Sequence, residues 1–134
     1  MEPSTLLFDT PQNAYHSVRV LCDQAGLTYA EKNLICECIY QESGFNQNSV
    51  CDNKDSQGVV WSKDISICQV NTYFHIGAGK DFPSVEYVMA NQDKVVLWMI
   101  KMYQQGLLKQ WVSYSSGAYA QWGQPGSPMW KLAA

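Results

Sequence analysis

The segment that most constrains the fold runs from Thr28 into the motif Gln41-Glu42-Ser43-Gly44-Phe45. Thr28 is followed three residues later by Glu31, which is the capping-box pattern of a helix start. The glycine of the motif favours a helix stop, so we expect one helix over residues 29–43. An apolar stripe along this helix is formed by Leu34, Ile35, Cys38 and Ile39. The next position on the stripe is Glu42, so the pattern predicts a carboxylate on the core-facing side of the last helical turn.

A carboxylate in that position is costly, because an apolar setting disfavours its charged form and raises its pKa. A raised pKa is what a general acid working near neutral pH requires. The alternative is that Glu42 turns outward to solvent at a frayed helix end, as most glutamates would. The residues that follow along the chain favour the first interpretation.

A second acid, Asp64, follows a polar stretch rich in turn residues, and the amides Gln69 and Asn71 come shortly after it. Two carboxylates that flank a glycosidic bond are the groups that glycoside cleavage uses. Amide side chains beside them can hold hydroxyl and N-acetyl groups of a sugar. This combination is typical of a sugar-binding cleft.

Three motifs together resemble the lysozyme superfamily: Glu42-Ser43-Gly44-Phe45-Asn46, Asp64-Ile-Ser-Ile-Cys-Gln69-Val-Asn71 and Trp111-x-x-Tyr114-x-x-Gly117-x-Tyr119-x-x-Trp122. The first two are similar to C-type lysozymes and to soluble lytic transglycosylases. The third is more similar to the transglycosylase and phage endolysin branch. The resemblance covers roughly residues 28–122. It implies an α+β, mainly α fold, in which a small irregular β-like lobe and a helical part enclose a cleft.

The resemblance makes Glu42 the catalytic acid and places Asp64 where C-type lysozymes have their second carboxylate. It also predicts a set of substrate-binding residues. This set comprises Ser43, Gln69, Asn71, Tyr73 and Tyr114. Tyr114 belongs to it because transglycosylases place a tyrosine in the cleft near the acid, and Tyr73 because it lies just past the end of the predicted cleft strand.

The orientation of Asp64 is the open point of this assignment. If residues 64–70 are extended, strand alternation puts Asp64 and Gln69 on opposite faces. Only a turn or bulge between Asp64 and Ile67 would bring both into the cleft. Ser66 stands where the family has a glycine, three residues before Gln69, and leaves such a turn open.

The predicted activity is hydrolysis of the β-1,4 bond between N-acetylmuramic acid and N-acetylglucosamine in peptidoglycan, with Glu42 as general acid. One alternative is a lytic transglycosylase that cleaves the same bond, in which the substrate's own N-acetyl group attacks and an anhydro product forms. Another alternative is a non-catalytic glycan-binding or virion structural protein. The expected partner is a peptidoglycan glycan strand bound by a monomer, and no metal or organic cofactor is implied.

The composition limits the number of domains and the kinds of partner that the protein can have. The chain has 134 residues, 46% of them hydrophobic, which fits one domain over residues 1–134. A net charge of −3 without a basic run makes nucleic acid an improbable partner.

No stretch approaches the ~20 apolar residues of a membrane span. The start Met1-Glu-Pro-Ser-Thr5 lacks the pattern of a signal peptide. We therefore expect a protein made in the cytosol that acts on the cell wall during phage lysis or from a virion, or a domain whose leader is missing.

The five cysteines are Cys22, Cys36, Cys38, Cys51 and Cys68. An odd count in a chain without a signal peptide favours free thiols. A disulfide between Cys51 and Cys68 and a zinc site made by these two residues with His75 are the alternatives, although no ligand spacing matches a known zinc pattern.

The remaining elements follow from periodicity and turn residues. Helices are expected from Pro11 to Gly26, over 84–90, over 92–105 as a central core helix packed on the Glu42 helix, and briefly over 107–110. Strands are expected only at 59–61 and 65–70. We expect Trp61 either to stack on a sugar or to lie under a loop, His75 to be structural or solvated, and the residues after Pro128 to form a loosely held tail.

Overall fold

A computed structural model describes residues 6–134, and in it the chain is α+β and mainly helical. The α-helices are α1 (Pro11–Gln24), α2 (Tyr29–Ser43), α3 (Thr72–His75), α4 (Val85–Ala90), α5 (Gln92–Gln104) and α6 (Val112–Ser115). The strands are β1 (Val50–Lys54), β2 (Val60–Ile65) and β3 (Val70–Asn71). Short 3₁₀ helices span Leu108–Gln110, Ala118–Gly123 and Pro128–Ala133.

Helix α2 begins and ends where the sequence predicts. The Thr28 hydroxyl accepts from the Glu31 N–H at 3.2 Å, and the Glu31 carboxylate accepts from the Thr28 N–H at 2.9 Å. At the other end Gly44 adopts φ 61°, a left-handed conformation that glycine reaches without a steric penalty. The position of Glu42 in the last helical turn is therefore fixed by caps at both ends of the helix.

The hydrophobic core collects side chains from both ends of the chain. It includes Val18 and Cys22 from α1, Ile35 and Ile39 from α2, and the buried face of α5. Helix α5 packs mainly against α1, and its buried face shares this core with Ile35 and Ile39 of α2. A hydrogen bond from the Tyr103 hydroxyl to Glu31 at 2.7 Å also joins α5 to α2.

The sheet is small and antiparallel, with the strand order β1-β2-β3. Cys51 pairs with Asp64, and Asp64 pairs with Asn71. The prediction of strands only at 59–61 and 65–70 is wrong on two counts. Strand β1 was not predicted because it is polar and exposed, and pairing with β2 holds it. Residues 66–69 are a turn, because Ser66 and Gln69 both have positive φ, 72° and 54°.

The C-terminal residues are also more ordered than predicted. Met129 is fully buried, and its N–H donates to the Ser127 hydroxyl at 3.1 Å. The Trp130 indole N–H donates to the Gln124 carbonyl at 3.1 Å. Burial of Met129 in the core holds this segment in place, which the loop-like composition before it did not indicate.

All five cysteines are free thiols, as predicted. The disulfide between Cys51 and Cys68 does not form, because Cys51 is exposed on β1 while Cys68 lies in the core. Within residues 6–134, no group of three or more histidine, cysteine or acidic side chains is arranged to hold a metal ion. Over the same residues, no helix combines the length and the apolar character needed to cross a membrane.

Candidate active site

A cleft of about 590 Å³ lies where the end of α2, the sheet, α3, α5 and the start of α6 meet. Both predicted catalytic carboxylates line it, together with amides and tryptophans from other elements. The residues that the site chemistry depends on are Glu42, Asp64, Gln69, Asn71, Trp98 and Trp111. The structure therefore brings together groups that lie far apart in the sequence.

Glu42 is half-buried in this cleft and does not turn out to solvent. Burial raises the pKa of its carboxyl from 4.5 to about 7, and the nearby Asp64 carboxylate contributes to the increase. The hydroxyl of Ser113 acts in the opposite direction and lowers the pKa of Glu42. An acid in this setting is partly protonated near neutral pH, which is the state needed to donate a proton.

Ser43 fixes the end of α2 and does not line the cleft. Its hydroxyl donates to the Ile67 carbonyl at 2.6 Å and contacts the Ile39 carbonyl at 3.3 Å. The structure therefore does not bring Ser43 to the predicted position in the cleft, because its hydroxyl is engaged in tying α2 to the turn at 66–69.

The residue after the glycine stop reinforces this end of the helix. Phe45 also has positive φ, 65°, and its fully buried ring packs edge-on against Tyr15 with ring centroids 5.4 Å apart. A non-glycine residue in this conformation is uncommon and persists where packing fixes it. Burial of Phe45 therefore anchors the chain directly after the acid.

Asp64 and Gln69 both reach the cleft because the chain turns between them. The Gln69 N–H donates to the Ser66 carbonyl at 3.2 Å, and Ser66 takes the left-handed conformation at φ 72°. The turn that the sequence left open is present, and strand alternation does not extend through residues 66–69.

The side-chain amide oxygen of Gln69 is available to a ligand, whereas its amide nitrogen is not. Its side-chain nitrogen donates to the carbonyls of Ser49 at 3.0 Å and Ser66 at 2.9 Å, which fixes the amide plane. Within the described part of the chain its oxygen accepts no hydrogen bond. A substrate hydroxyl or N-acetyl N–H can therefore donate to it.

Asn71 orients Asp64, and most of the hydrogen-bonding capacity of its amide is already used. Its amide nitrogen donates to Asp64 Oδ1 at 3.0 Å and to the Ser62 hydroxyl at 3.3 Å. Its oxygen accepts from the backbone N–H groups of Tyr73 and Phe74, at 3.0 and 3.1 Å, and so caps α3. Although Asn71 lines the cleft, its hydrogen bonds hold Asp64 in place.

Tyr114 does not face the cleft, so this prediction is wrong. Its ring stacks on Tyr119 with centroids 5.4 Å apart and lines a separate pocket with Glu31 and Tyr103. The prediction was based on the position of the tyrosine in the family motif, and the backbone at Trp111, just before α6, is extended, with φ −82° and ψ 123°.

The site also includes residues that were not predicted from the sequence, among them Trp98, Trp111 and Ser113. The Trp98 ring packs against Trp111 with centroids 5.1 Å apart and against His75 at 4.9 Å, and all three line the cleft. Ser113 of α6 lies beside Glu42. Trp98 could not be recognised as a site residue from the sequence because its helix is apolar on most sides. Ser113 could not be recognised because it belongs to no sequence motif.

Aromatic rings border one side of the cleft and are open to solvent. Trp61 is 48% exposed and Phe74 60% exposed, and both line the cleft. Their rings meet edge-on with centroids 6.3 Å apart. Tyr73 packs against both rings but does not line the cleft, so the structure places it beside the site and not within it. The exposed faces of Trp61 and Phe74 suit stacking on sugar rings.

His75 is held in the cleft wall from two sides. Its Nδ1 lies 2.7 Å from Asp81, and its carbonyl accepts from the Phe82 N–H at 2.9 Å. The contact with Asp81 engages Nδ1 and leaves Nε2 as the ring nitrogen without a hydrogen bond in the part of the chain that the structure covers. His75 therefore combines a structural bond with a position in the cleft.

No protein-family model, curated protein or solved structure matches this chain.

Proposed function

We propose that this protein is a peptidoglycan-degrading glycosidase, a muramidase that hydrolyses the β-1,4 bond between N-acetylmuramic acid and N-acetylglucosamine. The observation that carries the proposal is that Glu42 and Asp64 share one cleft in unequal surroundings. Lysozyme is the type case for a raised-pKa acid paired with a second carboxylate, so this part of the reasoning is borrowed from that family.

Glu42 is the general acid of the proposed reaction. The protonated carboxyl donates its proton to the glycosidic oxygen as the bond to the anomeric carbon breaks. Because its pKa is about 7, a large fraction of Glu42 carries that proton at neutral pH, whereas an ordinary glutamate carries almost none.

Asp64 is the second carboxylate. Asn71 holds one of its oxygens at 3.0 Å, so its position is fixed before substrate binds. In this position Asp64 stabilises the positive charge that develops on the sugar, or attacks the anomeric carbon. The presence of both carboxylates in one cleft favours hydrolysis over the transglycosylase route, which needs no second acid.

The glycan character of the substrate is supported by the cleft lining. Trp61 and Phe74 offer exposed aromatic faces, and Gln69 offers an amide oxygen in a fixed orientation. The assignment to peptidoglycan rests on the sequence motifs. An enzyme with this substrate acts on the cell wall.

The proposal is tested by the turbidity of a suspension of purified cell walls. The wild-type protein should clear the suspension, and Glu42→Gln should slow clearing by ~10² to 10⁴-fold because it removes the acidic proton while keeping the size of the side chain. Glu86→Gln, at an exposed glutamate of α4, is the matched control and should clear at the wild-type rate. Wild-type protein that binds walls without clearing them would favour the non-catalytic alternative.

A further inference from the structure

Ser113 is a buried hydroxyl without a partner. The residue is 4% exposed, and within residues 6–134 its Oγ has no hydrogen-bond partner. Nearly all buried polar side chains in folded proteins are hydrogen-bonded, so each exception calls for an explanation, and a catalytic role is one of them. The position of this hydroxyl beside Glu42 favours that explanation.

The backbone around Ser113 is fixed, so the hydroxyl has few directions available. Trp111 anchors the start of α6 through a buried hydrogen bond from its indole N–H to the Cys68 carbonyl at 2.9 Å. The carbonyl of Trp111 then accepts from the N–H of Ser115 at 3.0 Å, and the carbonyl of Val112 from that of Ser116 at 2.9 Å. Ser113 is thereby held against α2.

The hydroxyl faces Cys38 and Glu42, which lie four residues apart on the same side of α2. The other titratable groups that face Glu42 are Asp64 from β2 and Cys68 from the turn. Burial raises the pKa of Cys38 to about 12 and that of Cys68 well above its usual range, so both remain neutral thiols. Among these neighbours a carboxylate is the strongest acceptor for a hydroxyl.

We propose that Ser113 is a positioning residue for Glu42. The Ser113 hydroxyl donates to one carboxylate oxygen of Glu42 and leaves the other oxygen to carry the proton for the substrate. The catalytic part of this role depends on the proposed function of the protein. As the proton leaves Glu42, the hydroxyl stabilises the carboxylate that forms. A small rotation of either side chain completes this hydrogen bond, which favours the ionised form of Glu42 with or without substrate.

The direct test is an NMR titration of the Glu42 carboxyl carbon. In Ser113→Ala the titration midpoint should rise by about 0.5 to 1 pH unit, because the ionised form loses a donor. Ser115→Ala, at an exposed serine of the same helix, should leave the midpoint unchanged. Ser113→Gly removes the hydroxyl in a second way and should shift the midpoint in the same direction. An unchanged or lowered midpoint in both Ser113 variants would overturn the proposal.

The activity test separates this proposal from the proposed function. The alkaline limb of the pH profile for wall clearing should move upward in Ser113→Ala by the same amount as the midpoint, with KM unchanged. The titration needs no activity, so it tests Ser113 even if the protein proves not to cleave peptidoglycan. Cleavage with a normal alkaline limb in Ser113→Ala would refute the role of Ser113 and leave the function intact.

Discussion

Glu42 should destabilise the fold at neutral and alkaline pH, and glutamine in its place should remove this effect. The pKa of Glu42 is raised from 4.5 to about 7 by burial and by Asp64. Between these two values the folded state binds more protons than the unfolded state, so stability falls as pH rises through this window. Above about 7 the loss is complete, and below 4.5 there is none.

The loss of folding stability follows from the difference between the two pKa values of Glu42, 4.5 and about 7. Each pH unit corresponds to ~1.4 kcal/mol, so the full window corresponds to about 3 kcal/mol. Because the carboxylate of Glu42 is only partly buried, solvent screening reduces this to about 2 kcal/mol. For a chain of this length, such a gain raises Tm by roughly 5 to 10 °C.

The assay is thermal or urea unfolding at pH 8 and at pH 4, with a reductant to keep the five thiols free. Glu42→Gln should be more stable than wild type by about 2 kcal/mol at pH 8 and nearly equal to it at pH 4. Glu86→Gln should change little at either pH. Equal stability of Glu42→Gln and wild type at pH 8, or an equal gain at both pH values, would show that Glu42 is not a buried acid.

Two further predictions concern activity. The rate of wall clearing should fall as pH rises through about 7, because Glu42 loses its proton there, and initial rates measured from pH 4 to 9 check this. Trp61→Ala and Phe74→Ala should each raise KM roughly tenfold with little change in kcat, because stacking acts on bound substrate and transition state alike. Tyr29→Ala, at an exposed tyrosine outside the cleft, is the control. A wild-type KM in both cleft variants would show that these two rings do not bind the substrate.

The parts of the site that the sequence predicted correctly are those set by local chemistry. Helix α2 has a capping box at Thr28, a glycine stop at Gly44 and an apolar stripe that leads to Glu42. Each of these signals lies within a few residues of the feature that it determines. Both the bounds of the helix and the inward position of its acid could therefore be predicted.

The orientation of Asp64 could not be predicted from the sequence, because it depends on two backbone conformations. Ser66 and Gln69 both adopt positive φ, which neither residue type favours. Hydrogen bonds of the Gln69 amide to Ser49 and Ser66 hold the turn. Ser49 lies directly before β1, and β1 itself is too polar to be recognised as a strand.

Tyr114 and Ser113 show the limit of motif reasoning at the C-terminal side of the site. The motif drew attention to Tyr114, but the extended backbone at Trp111 turns the tyrosine into a separate pocket and brings the serine beside Glu42. Neither outcome is encoded in residue type or spacing. Trp111, just before both residues, is held by a hydrogen bond to the Cys68 carbonyl, a contact between distant parts of the chain that the motif does not indicate.

Mass spectrometry of the products released from purified peptidoglycan tests the central claim most directly. Wild-type protein should release muropeptides with reducing ends, and Glu42→Gln should release none above background. Asp64→Asn should retain only a small fraction of the wild-type yield. Products lighter by one water, formed at an unchanged rate by Asp64→Asn, would contradict hydrolysis by this carboxylate pair. Absence of any product from the wild-type protein would contradict the enzymatic function itself.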